Sequence, residues 1–375
     1  MKNKPSIKKV AVIGSGIMGS RIACHMANIG LDVLLLDIAP FKLNEAEEKA
    51  GLTLENPKVK NRIVKDALKA TLKSKPASLY KKDFISRIKT GNLTDDIEKI
   101  SDADWIIEVV VERLDIKKQV FEKVEQFRKS ESIISSNTSG IPIHMMLEER
   151  SEDFKTNFLG THFFNPPRYL ELLEIIPTPH TNPKLVEFLM EFGDRYLGKT
   201  TVLCKDTPAF IANRVGVGGI LSLFHLVEKR GLSVEAIDKL TGPIIGRPKS
   251  ATFRTCDVVG LDTLVHVANG LYENCKNDEA RASFRLPKYV EKLFENKWLG
   301  DKTKQGFYKK TKDEKGKKVI LSLDLKNFEY KTPDSVKFTS LAQAKEIDDL
   351  RKRIKFLYHS KDEAGEFYRE MFSDI

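Results

Sequence analysis

The sequence VAVIGSGIMGSRIACHMANIGLDVLLLD, residues 10–37, contains the pattern that decides the fold. An apolar run over residues 10–13 is followed at once by three glycines spaced as GxGxxG, and then by a helical pattern that continues to Asn28. Gly30 ends this pattern, and a second apolar run leads to Asp37. The order predicts strand, tight turn, helix and strand, which is the first unit of a parallel α/β sheet.

The glycine turn predicts a dinucleotide site of the Rossmann type. Gly14 permits the tight turn, Gly16 lets the backbone approach a pyrophosphate, and Gly19 lets the helix pack against the strand. The helix N-terminus that follows attracts an anion. The residues that we expect to contact a dinucleotide here are Gly14, Ser15, Gly16, Ile17, Met18 and Gly19.

Asp37 decides which dinucleotide is expected. It lies 23 residues after Gly14, where an acid accepts hydrogen bonds from both hydroxyls of the adenosine ribose. Residues 38 and 39 are isoleucine and alanine, so no arginine stands beside Asp37 to hold a 2′-phosphate. The sequence therefore predicts NAD rather than NADP as the cofactor.

A lysine-rich insertion separates the second strand from the third. Residues 46–54 and 60–73 are expected to be helical, and lysines recur near helical spacing in and after the second of these helices. One interpretation is a solvated helix face, which is what most charge runs are. The other is a basic arm that holds a phosphate of the substrate.

The sheet is predicted to resume at residues 103–112 and again at residues 133–139. In open α/β sheets, ligands bind outside the carboxyl ends of the strands. Glu112 and Ser139 end these two runs, so we expect them where a nicotinamide and a substrate meet.

Two further apolar runs, residues 158–164 and 169–176, are joined by a Pro-Pro corner. The first contains a single imidazole, His162, and the second contains Glu171 and Glu174. A carboxylate beside an imidazole fixes its tautomer and stabilises its protonated form, which suits general acid/base catalysis. A buried core histidine with two edge-strand acids is the alternative. Hairpin counting across the corner favours Glu171, but the residues alone leave both acids open.

Composition limits the possible classes of protein. At 375 residues the chain is expected to form two domains. The net charge of +10 indicates an anionic partner, and because the basic residues are dispersed without a nucleic-acid motif, we expect a small anionic molecule. The four cysteines show no pairing pattern, so neither a metal nor a disulfide framework is expected.

The sequence also carries expectations about location. No apolar run approaches the roughly 20 residues that cross a bilayer, and the first strand begins by Lys8. We therefore expect a soluble, cytoplasmic protein without membrane insertion.

The second half of the chain has helical patterns. We predict a Rossmann-type NAD-binding domain with a helical insertion over residues 1–200, followed by an all-α C-terminal domain over residues 201–310. Residues 311–375 are expected to be a charged linker or the start of a further domain. Within them, residues 317–330 are predicted to form a two-stranded ribbon and residues 341–358 a helix.

Five motifs follow one another in the order found in a known family. The chain resembles the NAD-dependent (S)-3-hydroxyacyl-CoA dehydrogenases of fatty-acid β-oxidation over about residues 8–310. The motifs are GSGIMG at 14–19, SNTS at 136–139, GTHFFNP at 160–166, KDTP at 205–208 with NR at 213–214, and KT at 302–303 with GFY at 306–308.

The resemblance implies roles for particular residues. His162 corresponds to the catalytic base and Glu174 to the acid that orients it. Ser139 corresponds to the hydroxyl that contacts the substrate oxygen, and Asn213 to the amide that completes the pocket. The implied reaction is the oxidation of (S)-3-hydroxyacyl-CoA to 3-oxoacyl-CoA.

The resemblance also implies contacts to the cofactor and to the acyl-CoA substrate. The positions that correspond to cofactor contacts beyond the glycine turn and Asp37 are Glu112, Lys117, Ser139, Asn165 and Lys302. Lys73 and Lys75 are candidates for the phosphates of coenzyme A.

Three wider expectations follow from the same resemblance. The helical domain is expected to pair subunits in a homodimer or to pack against further domains. Residues 311–375 resemble the linker of bifunctional relatives that carry an enoyl-CoA hydratase unit, so the chain is expected to be part of a longer protein. A nucleotide-binding scaffold without turnover, like the crystallin relatives of the family, is the alternative function.

Overall fold

The computed structural model describes residues 7–373, and the first of its two units, which ends at Ile211, is built on one sheet. Among the described residues, the strands of this sheet are β1 (Lys9–Ile13), β2 (Asp32–Asp37), β3 (Ile88–Asn92), β4 (Trp105–Glu108), β5 (Ile133–Ser136), β6 (Phe158–Phe163), β7 (Leu172–Pro177) and β8 (Thr200–Leu203). Their order is β3-β2-β1-β4-β5-β6-β7-β8. The first six strands are parallel, β7 is antiparallel to β6, and β8 is parallel to β7.

Helices cover the sheet on both faces. The helices of the first unit are α1 (Ile17–Asn28), α2 (Glu45–Lys49), α3 (Pro57–Lys60), α4 (Arg62–Lys73), α5 (Leu114–Phe127), α6 (Glu152–Thr156) and α7 (Pro183–Arg195). Val10 and Val12 of β1 belong to one buried apolar cluster, and Ala11 and Ile13 belong to another. Alternate residues of a strand point to opposite faces, so the central strands are buried on both sides. The predicted Rossmann-type domain is confirmed.

The helical insertion lies between β2 and β3, as predicted, but it holds three helices rather than two. The helix predicted over residues 46–54 ends at Lys49, because Gly51 has a left-handed φ of +65° that a helix does not continue. Asn56 then caps α3, where its side chain accepts a hydrogen bond from the backbone N–H of Lys58.

The second unit begins at Ala212 and is mainly helical, as predicted. Its helices are α8 (Ala212–Arg230), α9 (Val234–Leu240), α10 (Phe253–Val259), α11 (Leu261–Asn274), α12 (Lys288–Glu295), α13 (Thr339–Ala344), α14 (Leu350–His359) and α15 (Glu363–Ser373). The helix predicted over residues 341–358 is divided into α13 and α14, because Asp349 caps a new helix start.

The prediction of a two-stranded ribbon over residues 317–330 is wrong in its extent. Three antiparallel strands form in the described part of the second unit, β9 (Tyr308–Lys312), β10 (Lys318–Leu323) and β11 (Tyr330–Lys331), with β10 in the middle. The strand β9 was not predicted because its sequence, YKKTK, lacks the alternation of apolar and polar residues that indicates a strand.

The GFY sequence at residues 306–308 has a structural explanation in this unit. Asp257 of α10 accepts hydrogen bonds from the backbone N–H groups of Phe307 (2.9 Å) and Tyr308 (2.8 Å). A Cβ on Gly306 would lie 2.1 Å from the Asp257 carboxylate, so only glycine fits there. Burial raises the pKa of Asp257 to about 6, although both hydrogen bonds oppose the shift.

Candidate active site

The imidazole of His162 and the carboxylate of Glu174 form a buried pair on neighbouring strands. His162 on β6 and Glu174 on β7 are directly opposite in the antiparallel register, and Nδ1 of His162 lies 2.7 Å from Oε2 of Glu174. His162 is 6% exposed and Glu174 is fully buried. The other carboxylate oxygen accepts from the backbone N–H of Ile211 at 3.0 Å. A carboxylate at Nδ1 favours the tautomer with a proton there, which leaves Nε2 as the nitrogen with a lone pair that can accept a proton.

The connection between β6 and β7 explains why counting could not choose the acid. Residues 164–171 form a wide turn in which the backbone N–H groups of Tyr169 and Leu170 both donate to the carbonyl of Pro166. Glu171 lies at the end of this turn, exposed and outside the strand. The extra residues of the turn shift the register, so Glu174 rather than Glu171 faces His162.

The glycine turn has the geometry that a pyrophosphate needs. Gly14 has φ +103°, and a Cβ at this position would lie 2.5 Å from the carbonyl oxygen of Val109. A Cβ on Gly19 would lie 1.8 Å from the carbonyl oxygen of Gly14, so the helix and the turn require glycine at both positions. Around Gly16, by contrast, a Cβ would meet no described atom within 4 Å. Its backbone at the start of α1 is therefore open to a ligand.

Asp37 is tied to this turn by Ser15. One carboxylate oxygen of Asp37 accepts from the backbone N–H of Ser15 at 2.6 Å and from its hydroxyl at 2.5 Å. The other accepts from the backbone N–H of Ile38 at 2.7 Å. Asp37 is half-buried at the carboxyl end of β2, so a ribose can reach it. Nearby, Ile17 is 68% exposed on the first turn of α1, which leaves apolar surface beside the turn.

Lys117, Glu108 and Glu112 form a charge cluster beside Ser139, which we call the cluster below Ser139. The ammonium of Lys117 lies 2.7 Å from Glu108 and 3.4 Å from Glu112, and Lys117 and Glu108 have side chains that are 1% and 0% exposed. Sequence reasoning assigned Glu112 and Lys117 to the cofactor but did not identify Glu108. An acid inside the apolar run IIEVVV was the signal that could have found it.

Glu112 organises the loop that carries Ser139. One of its carboxylate oxygens accepts from the Thr138 hydroxyl (2.6 Å), the Ser139 backbone N–H (3.0 Å), the Ser139 hydroxyl (3.3 Å) and the Gly140 backbone N–H (3.1 Å). Burial raises the pKa of Glu112, but the Lys117 charge and these hydrogen bonds outweigh it, and the net shift is downward. The structure thus brings Glu112, Lys117 and Ser139 together, with Glu112 charged.

Asn137 is a second residue that sequence reasoning missed. Its side-chain oxygen accepts from the backbone N–H of Phe163 at 2.9 Å, which joins the end of β5 to the end of β6 next to His162. The carboxyl ends of the parallel strands are the expected place for a ligand.

The remaining predicted residues lie apart from this cluster or in the other unit. Asn165 is exposed and accepts from Arg21 of α1 at 2.5 Å. Lys73, the last residue of α4, and Lys75 are exposed. Asn213 and Lys302 belong to the second unit, where Asn213 lies in the first turn of α8 and Lys302 forms an ion pair with Asp262.

Two kinds of feature are absent from residues 7–373, a metal-binding cluster and a membrane-spanning helix. Within that range no group of three or more histidine, cysteine, aspartate or glutamate side chains is arranged to hold a metal ion. No helix in the same range combines the length and apolar character needed to span a membrane.

Two known families together match most of the chain. The family described as "3-hydroxyacyl-CoA dehydrogenase, NAD binding domain" matches residues 9–207. The family described as "3-hydroxyacyl-CoA dehydrogenase, C-terminal domain" matches residues 210–310.

Similar proteins carry related names. A probable 3-hydroxyacyl-CoA dehydrogenase of Bacillus subtilis is 50% identical over 96% of this chain, but the match covers 45% of that protein, so the chain spans about half its length. A probable 3-hydroxyacyl-CoA dehydrogenase of Deinococcus radiodurans is 46% identical, with 83% of this chain and 85% of that protein covered. The crystal structure of (S)-3-hydroxybutyryl-CoA dehydrogenase PaaH1 from Ralstonia eutropha matches with a TM-score of 0.64 and 27% identity, over 80% of this chain and 98% of that one.

Proposed function

The chain belongs to the 3-hydroxyacyl-CoA dehydrogenase family, and from this premise we propose that it oxidises (S)-3-hydroxyacyl-CoA to 3-oxoacyl-CoA with NAD in fatty-acid β-oxidation. The observation that carries the proposal is the buried His162–Glu174 pair, which lies on the same sheet as the dinucleotide turn. General acid/base groups and a dinucleotide site together are what alcohol oxidation needs.

The reaction divides between cofactor and protein. NAD, when bound, supplies the acceptor for the hydride that leaves carbon 3 of the substrate. Nε2 of His162 takes the proton of the 3-hydroxyl group, so that the alcohol oxygen becomes the carbonyl oxygen as the hydride leaves. Glu174 holds the ring through Nδ1 and stabilises the imidazolium that results.

The polar groups around the pair position the substrate. Ser139 hydrogen-bonds to the substrate oxygen, and the amide of Asn213 is proposed as a further substrate contact, by its correspondence to the family. Glu112 fixes the Ser139 loop and, with Lys117, Asn165 and Lys302, contacts the cofactor. Support for this arrangement comes from the Glu112 hydrogen bonds to the loop and from the resemblance of these positions to the family.

A spectrophotometric assay tests the proposed reaction. The protein is mixed with NADH and acetoacetyl-CoA, and the loss of NADH absorbance measures the reverse reaction. We expect turnover that depends on both compounds and is much slower with NADPH. Binding of NADH without turnover on acyl chains of any length would favour a nucleotide-binding scaffold instead.

Exchange of Asp37 for alanine is expected to raise KM for NADH by about 10- to 100-fold. The reason is the loss of hydrogen bonds from two ribose hydroxyls to a charged acceptor, each worth roughly 1.5–3 kcal/mol net, of which hydrogen bonds from these hydroxyls to water restore a part in the variant. Because NADPH gains little from Asp37, its KM should change less, and the preference for NADH should shrink. Steady-state kinetics with both cofactors measure this, and an unchanged KM for NADH would contradict the assignment of Asp37 to the ribose.

Exchange of both Lys73 and Lys75 for alanine is expected to raise KM for acetoacetyl-CoA about 3- to 10-fold at low salt, with a smaller effect at high salt. Exposed charges attract phosphates weakly, and salt screens the attraction. The matched control is Lys65→Ala, which removes another exposed lysine of α4. If the control raises KM as much as the double variant does, the two lysines have no special role.

The second unit exposes apolar side chains that bear on its assembly with a partner. Val258 and Val259 of α10 are 58% and 59% exposed, and apolar side chains exposed together favour a partner. We infer that this unit pairs with a second copy of the chain or with further domains of a longer protein. Sedimentation equilibrium of the 375-residue chain measures its mass, and a monomer at all concentrations excludes the homodimer.

A further inference from the structure

The turn that joins His162 to Glu174 is fastened to the segment that follows the lysine-rich helix. We call residues 164–171 the corner loop and residues 74–80 the arm junction. Nη1 of Arg168 donates to the backbone carbonyls of Ala77 at 2.7 Å and Leu79 at 2.9 Å. The hydroxyl of Tyr169 donates to the same Ala77 carbonyl at 2.9 Å. Two side chains of the corner loop therefore converge on the backbone of the arm junction.

The guanidinium of Arg168 is also held by aromatic rings. It lies 4.3 Å from the ring centroid of Tyr80 in the arm junction and 5.0 Å from that of Tyr169 in its own loop. Two aromatic rings within about 6 Å attract the cation through their π-electrons, which adds to the hydrogen bonds that the guanidinium donates. The corner loop and the arm junction are thus joined by several hydrogen bonds and cation–π contacts rather than by one surface hydrogen bond.

The arm junction connects this joint to the lysines. It starts directly after Lys73, the last residue of α4, and it contains Lys75. Its other end is seated on α1, because the side chain of Asn28 donates to the Ser78 carbonyl at 2.9 Å and accepts from the backbone N–H of Tyr80 at 2.8 Å. The carbonyls of Ala77 and Leu79 that Arg168 contacts therefore belong to the same short segment as Lys75, so a ligand bound at this lysine acts on the segment that Arg168 holds.

The corner loop connects the joint to the catalytic pair. The ammonium of Lys199, only 5% exposed, donates to the carbonyls of Pro167 and Leu170, the latter at 2.7 Å. Burial lowers the pKa of Lys199 to about 8, and Glu171 partly opposes this shift. Lys199 thus holds the backbone of the loop. The two ends of the loop continue into the strands that carry His162 and Glu174. A displacement of the loop therefore acts directly on these two strands.

We propose that Arg168 is a positioning residue that couples the binding of the substrate's phosphates at the basic arm to the alignment of His162. This inference rests on the proposed function and on the assignment of the lysines to the phosphates of coenzyme A. Its consequence is that binding energy from the nucleotide end of the thioester raises kcat, and not only affinity, because the remote contact improves the geometry in which the proton is transferred.

Two substrates separate coupling from a merely structural role. Acetoacetyl-CoA carries the phosphates, whereas acetoacetyl-pantetheine has the same reacting group without them. The wild-type protein is expected to turn over the CoA thioester with kcat about tenfold or more above that of the pantetheine thioester. The assays are run below the pKa of Lys199, so that its ammonium stays charged.

In Arg168→Met, kcat for acetoacetyl-CoA is expected to fall about tenfold, whereas kcat for acetoacetyl-pantetheine stays within about twofold. Arg168→Lys, which keeps a cation and some donors, should recover part of the loss. The control is Arg195→Met, which removes an exposed arginine whose ion pair with Glu191 lies on the surface of α7. It should leave both values unchanged.

The outcomes distinguish the proposals. An equal loss of kcat with both thioesters in Arg168→Met would show that Arg168 only maintains the fold, and kcat values unchanged with both thioesters would show that it has no role; either result overturns the coupling. A wild-type ratio near one also overturns it, because there is then no contribution of the phosphates to kcat. Absence of turnover by the wild-type protein with both thioesters is a failure of the proposed function itself.

Discussion

Exchange of His162 for glutamine is expected to lower kcat for acetoacetyl-CoA by about 10³-fold, within the 10²- to 10⁴-fold range of general acid/base catalysis. Glutamine has a similar length and keeps an N–H that can donate to Glu174, so the strand register and the buried carboxylate retain a partner. It cannot accept and release a proton near neutral pH, and the proton transfer is therefore left to water. The loss should appear in kcat and much less in the affinity for NADH.

Two measurements separate this loss from a folding defect. NADH affinity, followed by fluorescence titration, and the free energy of unfolding should remain close to the wild-type values. His180→Gln is the matched control, because His180 is half-exposed and its carboxylate neighbour, Glu152, lies 3.9 Å away on the surface. A His162→Gln protein that binds NADH and turns over at the wild-type rate would end the assignment of the base.

The first unit could be predicted from the sequence because each step is set by local chemistry. Gly14 and Gly19 lie where a side chain would collide with backbone, so no other residue satisfies the turn. Apolar strands buried on both faces then require helices above and below the sheet, and the helical pattern after the turn supplies the first of them. The fold follows from these constraints without knowledge of distant contacts.

The acid that faces His162 could not be derived in the same way. Which residue of β7 lies opposite depends on how many residues the corner loop takes up, and this is set by the turn at Pro166 together with the contacts of Arg168 and Lys199. The contacts of Arg168 and Lys199 join residues that are distant in sequence. The resemblance to the family indicates Glu174, whereas counting along the chain indicates Glu171.

The role of Glu108 could not be predicted from the sequence for a related reason. Its carboxylate accepts from the backbone N–H of Val110 (2.7 Å), from Lys117 (2.7 Å) and from Ser136 (2.5 Å), and these partners come from the segment after β4, from α5 and from β5. A buried acid is acceptable only when such partners meet around it. Their meeting is visible only after the sheet and α5 are assembled.

Exchange of Lys117 for methionine is expected to destabilise the protein by about 3–5 kcal/mol, the cost of removing one partner of a buried ion pair. Methionine fills most of the space of the lysine stem but leaves Glu108, which is fully buried, without a cation. Glu112 also loses the charge that, against the effect of burial, helps to lower its pKa. Since a lowered pKa stabilises the folded state above the unfolded pKa and is lost as pH falls, the variant also loses this contribution at neutral pH.

Urea denaturation at neutral pH, without cofactor, measures the loss. The control is Lys118→Met on the next position of α5, where the lysine pairs with Glu148 on the surface, and its effect should be below about 1 kcal/mol. The double variant Glu108→Gln with Lys117→Met removes both buried charges, so it should regain part of the stability that Lys117→Met loses. If Lys117→Met is as stable as the control, or if the double variant is less stable by the full sum of the single effects, then the two charges are not coupled. The cluster below Ser139 would then owe its order to the hydrogen bonds of Glu112 alone.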